Sequence, residues 1–203
     1  MHGKWRFCLA VALIALLAAC WPDGLMRLRY DRSGLMDGEM WRVVTAHLVH
    51  LNRPHVFLNL LGLLLICELQ WGALPLRQGI GLLGFSGMAI SASLWWLHPE
   101  LVWYAGLSGA LHGLWAGCVL FGLRPAMETP LRSRLPYLAG ALLLAAKLLM
   151  EFHGGASENT AHLIGGGVVT VSHLYGALAG AAYILTRGCV RMHASFRGAL
   201  PQR

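Results

Sequence analysis

The sequence predicts an all-α, polytopic membrane protein: one domain over residues 1–203, built as a bundle of six transmembrane helices. Three observations predict it. Charged residues make up only 12% of the chain, about half the usual share of a soluble domain. Hydrophobic residues reach 57% and mean hydropathy is +0.57. The apolar residues are gathered into runs long enough to cross a hydrocarbon layer, separated by short segments that carry the basic residues.

The spans fall at about 6–21, 55–74, 79–97, 105–123, 135–151 and 172–187. The first begins after Lys4 and Arg6 and ends at Ala18-Ala19-Cys20, which resembles a lipoprotein cleavage site. Retention as a packed span is expected, because five further spans follow it. Basic residues set the orientation. Lys4, Arg6, Arg77, Arg124, Arg132, Arg134, Arg187, Arg191, Arg197 and Arg203 share one side. The other side has Arg27, Arg29, Arg32, Arg42 and Arg53, all in the first loop and nearly balanced by Asp23, Asp31, Asp37 and Glu39. Both termini are therefore expected in the cytoplasm. Within the first loop, residues 40–50 have the apolar spacing of an amphipathic interfacial helix, with Trp41 at headgroup level and Arg42 holding the loop to the membrane. The loop at 152–171 is Gly-rich and expected to be mobile. The net charge of +7 forms no basic face, so nucleic acid is not an expected partner. Cys8, Cys20, Cys67, Cys118 and Cys189 have no metal-type spacing, and no disulfide is expected.

Depth brings the polar residues together. Counted from the cytoplasmic ends at about 1.5 Å per residue, Ser108 lies 16 residues above Arg124, His173 14 above Arg187 and Asn59 16 before Pro75. All three reach one layer in the outer part of the bilayer core, with His55 one turn above Asn59. A polar residue at that depth is costly and needs a reason. Glu68 and Gln70, near the inner end of the second span, and Lys147 and Glu151, near the outer end of the fifth, can reach the interface by snorkelling. Gly109, Gly113 and Gly117 form one small-residue stripe and Gly176 and Gly180 another. If the two stripes face each other, Ser108 and His173 come within reach. A serine beside a histidine points to a nucleophile and its base, and no acidic residue is placed to orient His173. His47, His50 and His55 show no hydrolytic metal motif, and His98, His153, His162 and His193 have no evident role.

These residues resemble the rhomboid family of intramembrane serine proteases over about residues 38–187. Trp41-Arg42, His55-x-x-x-Asn59, the Glu68-to-Gly72 helix end, Gly106-Leu107-Ser108-Gly109 and His173-x-x-Gly176-x-x-x-Gly180 occur in the family's order. The compact core, the His47-to-Asn52 run and the Leu111-His112-Gly113 that follows the serine resemble the rhombosortase branch, bacterial enzymes that process surface proteins bearing a C-terminal Gly-Gly sorting segment. The resemblance implies a Ser108–His173 dyad in the bacterial inner membrane, opening to the periplasm. Asn59, His55, the backbone at Gly106, Leu107 and Gly109, and His112 stacked on His173 would support it, without cofactor or metal. The expected partners are the lipid bilayer and a transmembrane substrate whose Gly-rich segment unwinds easily. A non-catalytic relative that binds client helices is the competing reading. A transporter would need paired broken helices, which the chain lacks.

Overall fold

The computed structural model describes residues 2–72, 74–124 and 130–198, with side chains as far as Arg187 in the last helix. The side chains of Cys189, Arg191, His193 and Arg197, and all of Arg203, lie outside the described residues. In chain order the elements are α1 (His2–Cys20), α2 (Gly24–Leu28), β1 (Tyr30–Asp31), α3 (Arg32–Met36), α4 (Arg42–Thr45), α5 (Arg53–Leu69), α6 (Leu76–Leu97), β2 (Trp103–Tyr104), α7 (Ser108–Gly122), α8 (Leu131–Gly154), α9 (Glu158–Ile164) and α10 (Thr170–Gly198).

Each of the six predicted apolar segments is helical. Among the described residues three helices, α1, α6 and α8, are long and apolar enough to cross a membrane, and α7 is a shorter apolar helix. Large apolar side chains such as Leu9, Trp96, Leu142 and Phe152 point outward, as they must where the solvent is lipid. The protein is a membrane protein.

The centre is α7, packed against α5, α6, α8 and α10. Its glycine stripe permits this. A Cβ on Gly109 would lie 2.9 Å from the Ser172 carbonyl oxygen, and one on Gly113 2.7 Å from that of Gly176. The approach is reciprocal: a Cβ on Gly176 would strike the Gly109 carbonyl, and one on Gly180 that of Gly113. The two predicted stripes therefore do face each other, main chain against main chain. Gly117 is the exception, since it makes room for Leu82 of α6.

Helix α5 starts where its sequence says it should. Asn52 Oδ1 accepts from the His55 N–H at 2.9 Å, and Pro54 occupies the first turn. It stops at Leu69, short of the predicted 74. Gly72 has φ +52°, and the Trp71 indole N–H donates to the Leu74 carbonyl at 2.7 Å, closing a turn ahead of Pro75. Gln70 does not snorkel: it is buried and donates to the Pro136 carbonyl of α8 at 3.1 Å.

The first loop corrects two expectations. Only Arg42–Thr45 of the predicted 40–50 segment is an α-helix. Arg42 does not face the membrane surface. It is buried, and its guanidinium donates to the carbonyls of Met26 and Arg29, each at 2.9 Å, and to Glu39 at 2.5 Å. It thus holds the loop to itself. A two-stranded antiparallel pairing, Tyr30 with Tyr104 and Asp31 with Trp103, then ties this loop to the segment entering α7. The Gly-rich 152–171 region is also not a loop throughout. Helix α8 runs on to Gly154, and α9 fills part of the connection, capped by Ser157 and ended by Gly165 at φ +73°.

Candidate active site

One glycine, Gly106, places Ser108. Gly106 has φ +135°, a conformation open to glycine, and a Cβ there would press on the His55 ring at 3.0 Å. Its N–H donates to the Ala46 carbonyl at 2.9 Å, and its carbonyl accepts from the Tyr104 hydroxyl at 2.8 Å. The chain then turns into α7 with Ser108 as first residue and Leu107 as N-cap. The N–H groups of that first turn lack intrahelical acceptors and form the positive end of the helix dipole.

The serine and histidine meet. Ser108 Oγ lies 2.9 Å from His173 Nε2, across the α7–α10 seam. His173 Nδ1 lies 2.8 Å from Glu151 Oε2 of α8. This overturns the expectation that no acidic residue orients His173. It also corrects the placement of Glu151, whose side chain is only 10% exposed and turned inward. Lys147, one turn earlier on α8, donates to the other carboxylate oxygen, Oε1, at 2.5 Å. A carboxylate only accepts, so Nδ1 of His173 carries the proton, and the Nε2 lone pair faces the serine hydroxyl.

The supporting residues divide. The His112 ring stacks on His173, with centroids 4.1 Å apart and planes 13° from parallel. Its Nδ1–H donates to the Ser108 carbonyl at 2.7 Å, which makes Nε2 the unprotonated nitrogen. His55 accepts from the Leu51 N–H at Nδ1 (3.4 Å), leaving Nε2–H as a donor. Asn59 is buried one turn deeper and donates to the His55 carbonyl at 2.9 Å. A cavity of about 200 Å³ opens beside Ser108, lined by His55, Trp103, Tyr104, Ile164, Val168 and Ser172 among others. Asn59 does not line it.

Ligand atoms of His112, Glu151 and His173 lie within 4.8 Å of one another, a spacing that could hold a metal ion. The hydrogen bonds use the groups differently. Both His173 nitrogens and both Glu151 oxygens already have partners, one of them the Lys147 ammonium. A cation bound there would have to displace another cation.

Residues 37–188 match the family model described as the rhomboid domain. The chain belongs to the rhomboid family. Rhomboids are generally intramembrane serine proteases. No curated protein matches the chain. The rhomboid match runs from the first loop into α10 and takes in every site residue named above. Behind the site, two further histidines pack the first loop. His47 Nε2 is 3.1 Å from Ser91 Oγ, and His50 meets His55 edge-on with centroids 4.9 Å apart. Burial lowers the pKa of His47 to about 4 and that of His50 to about 3, so both are neutral at pH 7.

Glu151 is the site residue that sequence reasoning missed. One signal was available: Lys147 and Glu151 are an i,i+4 pair near the outer end of an apolar span, at the depth of Ser108 and His173.

Proposed function

We propose that this rhomboid is an intramembrane serine protease of the rhombosortase type. It would cleave a membrane-anchored substrate near the outer face of the bacterial inner membrane, at the C-terminal Gly-Gly sorting segment of surface or secreted proteins. The observation that carries the proposal is the 2.9 Å contact between Ser108 Oγ and His173 Nε2 beside a cavity. In this reading all six apolar helices cross the bilayer, both termini are cytoplasmic and the cavity opens to the periplasm.

The chemistry follows from the geometry. His173 Nε2 takes the Ser108 proton as Oγ bonds to the scissile carbonyl carbon. Charge develops on the carbonyl oxygen, which the N–H groups opening α7 and the His55 Nε2–H would stabilise. One such donor is typically worth about 10²–10³ in rate. The C–N bond then breaks, and the leaving amine takes the proton from His173. Water hydrolyses the acyl-enzyme by the same steps in reverse. Asn59 acts through the His55 backbone, and the neutral π face of His112 lies against the ring that becomes cationic. The scissile segment must be unwound, because carbonyls within a membrane helix are already hydrogen-bonded. Glycine makes that unwinding easy.

The test is cleavage of a tagged reporter carrying a Gly-Gly segment, an apolar helix and a basic tail. It is co-expressed with wild type, Ser108→Ala, His173→Ala and His112→Ala. Cleavage lost in the first two variants and retained, though slowed, in the third is expected. Cleavage surviving Ser108→Ala would end the serine mechanism. A wild-type protein that binds the reporter uncut would favour the client-binding alternative.

A further inference from the structure

We infer that Glu151 is a positioning residue, the third member of a Ser108–His173–Glu151 chain. The inference rests on the serine-protease reading of the same site and extends it beyond two residues. The carboxylate sits on the far side of the imidazole from the serine, with Oε2 2.8 Å from Nδ1 and Oγ 2.9 Å from Nε2. The Glu151 and His173 side chains are only 10% and 5% exposed, so little of either group is open to solvent.

Two consequences follow from that placement. The first concerns the tautomer. A lone imidazole can carry its proton on either nitrogen, and only the Nδ1–H form leaves Nε2 free to accept from Ser108. An acceptor-only carboxylate against Nδ1 selects that form before substrate arrives. The second concerns charge. When His173 takes the serine proton it becomes a cation in a water-poor setting, where an unpaired charge is costly. The carboxylate is already hydrogen-bonded to the ring that acquires the charge. The groups that face His173 are Ser108 and His112 from α7, His55 from α5, and Glu151 backed by Lys147 from α8. Glu151 supplies the only negative charge among them. Lys147, whose side chain is 42% exposed, compensates that charge in the resting site from the direction of solvent and headgroups.

A bland role is also available to Glu151, as the link that ties α8 to α10 through His173 and to Lys147 along its own helix. The two roles order the variants differently. Glutamine has the shape of glutamate and can still hydrogen-bond, so it preserves a mere tether better than alanine does. As an orienter it is worse than alanine. Its amide N–H₂ can donate to Nδ1, which forces the proton onto Nε2, facing the serine. That tautomer error costs about 10⁴ in a soluble serine protease.

The experiment needs no knowledge of the substrate. The full chain, reconstituted in liposomes, is treated with a fluorophosphonate probe. Ser108 Oγ bonds to phosphorus, fluoride leaves, and the serine proton passes to His173, so the labelling rate reads nucleophile activation directly. Wild type should label at Ser108, and Ser108→Ala and His173→Ala should not. Glu151→Ala should label about 10²-fold slower or worse, Glu151→Gln slower still, and Glu151→Asp should recover part of the rate. Thermal melting confirms that each variant is folded. If Glu151→Ala fails to fold, the order of Gln against Asp decides: an orienter favours Asp, a tether favours the isosteric Gln. Wild-type rates in both Ala and Gln variants, or Gln labelling faster than Ala, would overturn the inference and leave the serine mechanism intact. Labelling that persists in Ser108→Ala would instead refute the serine mechanism itself.

Discussion

Gly176→Ala should disable the protein through a single methyl group. The new Cβ would fall on the Gly109 carbonyl oxygen of α7, one residue beyond Ser108, and would also lie 3.3 Å from Ile90 Cδ1. Even a close C–H···O contact needs about 3.3 Å. The obstacle is main chain, with no rotamer to change, so α7 and α10 must part by about 1 Å or more. Overpacking of this kind typically costs about 1–3 kcal/mol. The chemical loss should be larger. The Ser108–His173 contact of 2.9 Å spans the same seam, and about 1 Å of misplacement can cost about 10² in rate. The assay is the rate of fluorophosphonate labelling, paired with thermal melting. Gly84→Ala is the control: it lies in α6 with nothing within 4 Å of the added carbon. It should leave rate unchanged and stability unchanged or slightly raised, since alanine favours helix over glycine. A Gly176→Ala protein that labels and melts like wild type would refute the backbone-contact reasoning.

Two further predictions concern the first loop. Arg42→Ala leaves the carbonyls of Met26 and Arg29 and the Glu39 carboxylate without their donor. It should cost about 2–4 kcal/mol and show as earlier proteolytic nicking of residues 24–52, whereas a protease pattern like wild type would contradict the buried role. The histidines give a pH dependence. With folded-state values near 4 for His47 and 3 for His50, against about 6.5 when unfolded, the unfolded loop binds more protons below pH 6.5. Stability is therefore complete above about pH 6.5 and falls as the pH drops toward 4 and 3. At pH 5 the loss should be about 2 kcal/mol for each histidine, read as a falling Tm. A Tm flat from pH 7.5 to 5 would refute it.

What the sequence revealed, and what it hid, follows from where the information lies. Ser108 and His173 were legible because a polar residue in an apolar span stands out and helical rise fixes its depth. The facing stripes were legible because Gly109, Gly113, Gly176 and Gly180 keep a spacing of four that survives any rotation of the helix as a whole. Glu151 was hidden by its neighbour. Depth says how high a residue sits, not which way it faces, and an i,i+4 partner in Lys147 offered a sufficient explanation at the surface. Arg42 was misread for the same reason: a basic residue in an interfacial loop ordinarily faces headgroups, and only the folded loop presents the carbonyls of Met26 and Arg29 to it. The β1–β2 pairing is two residues long on each side, too short for alternation to register.

The α7–α10 seam has a mechanical consequence. Packed helices can shift by small sliding of one past another. A seam made of main chain on main chain has few side chains to ease that sliding. The Ser108–His173 contact spans this joint, so a rearrangement that keeps the contact falls to the parts around it. Those parts include residues 167–169 of the connector into α10 and Leu51 of the first loop, which line the cavity beside Ser108.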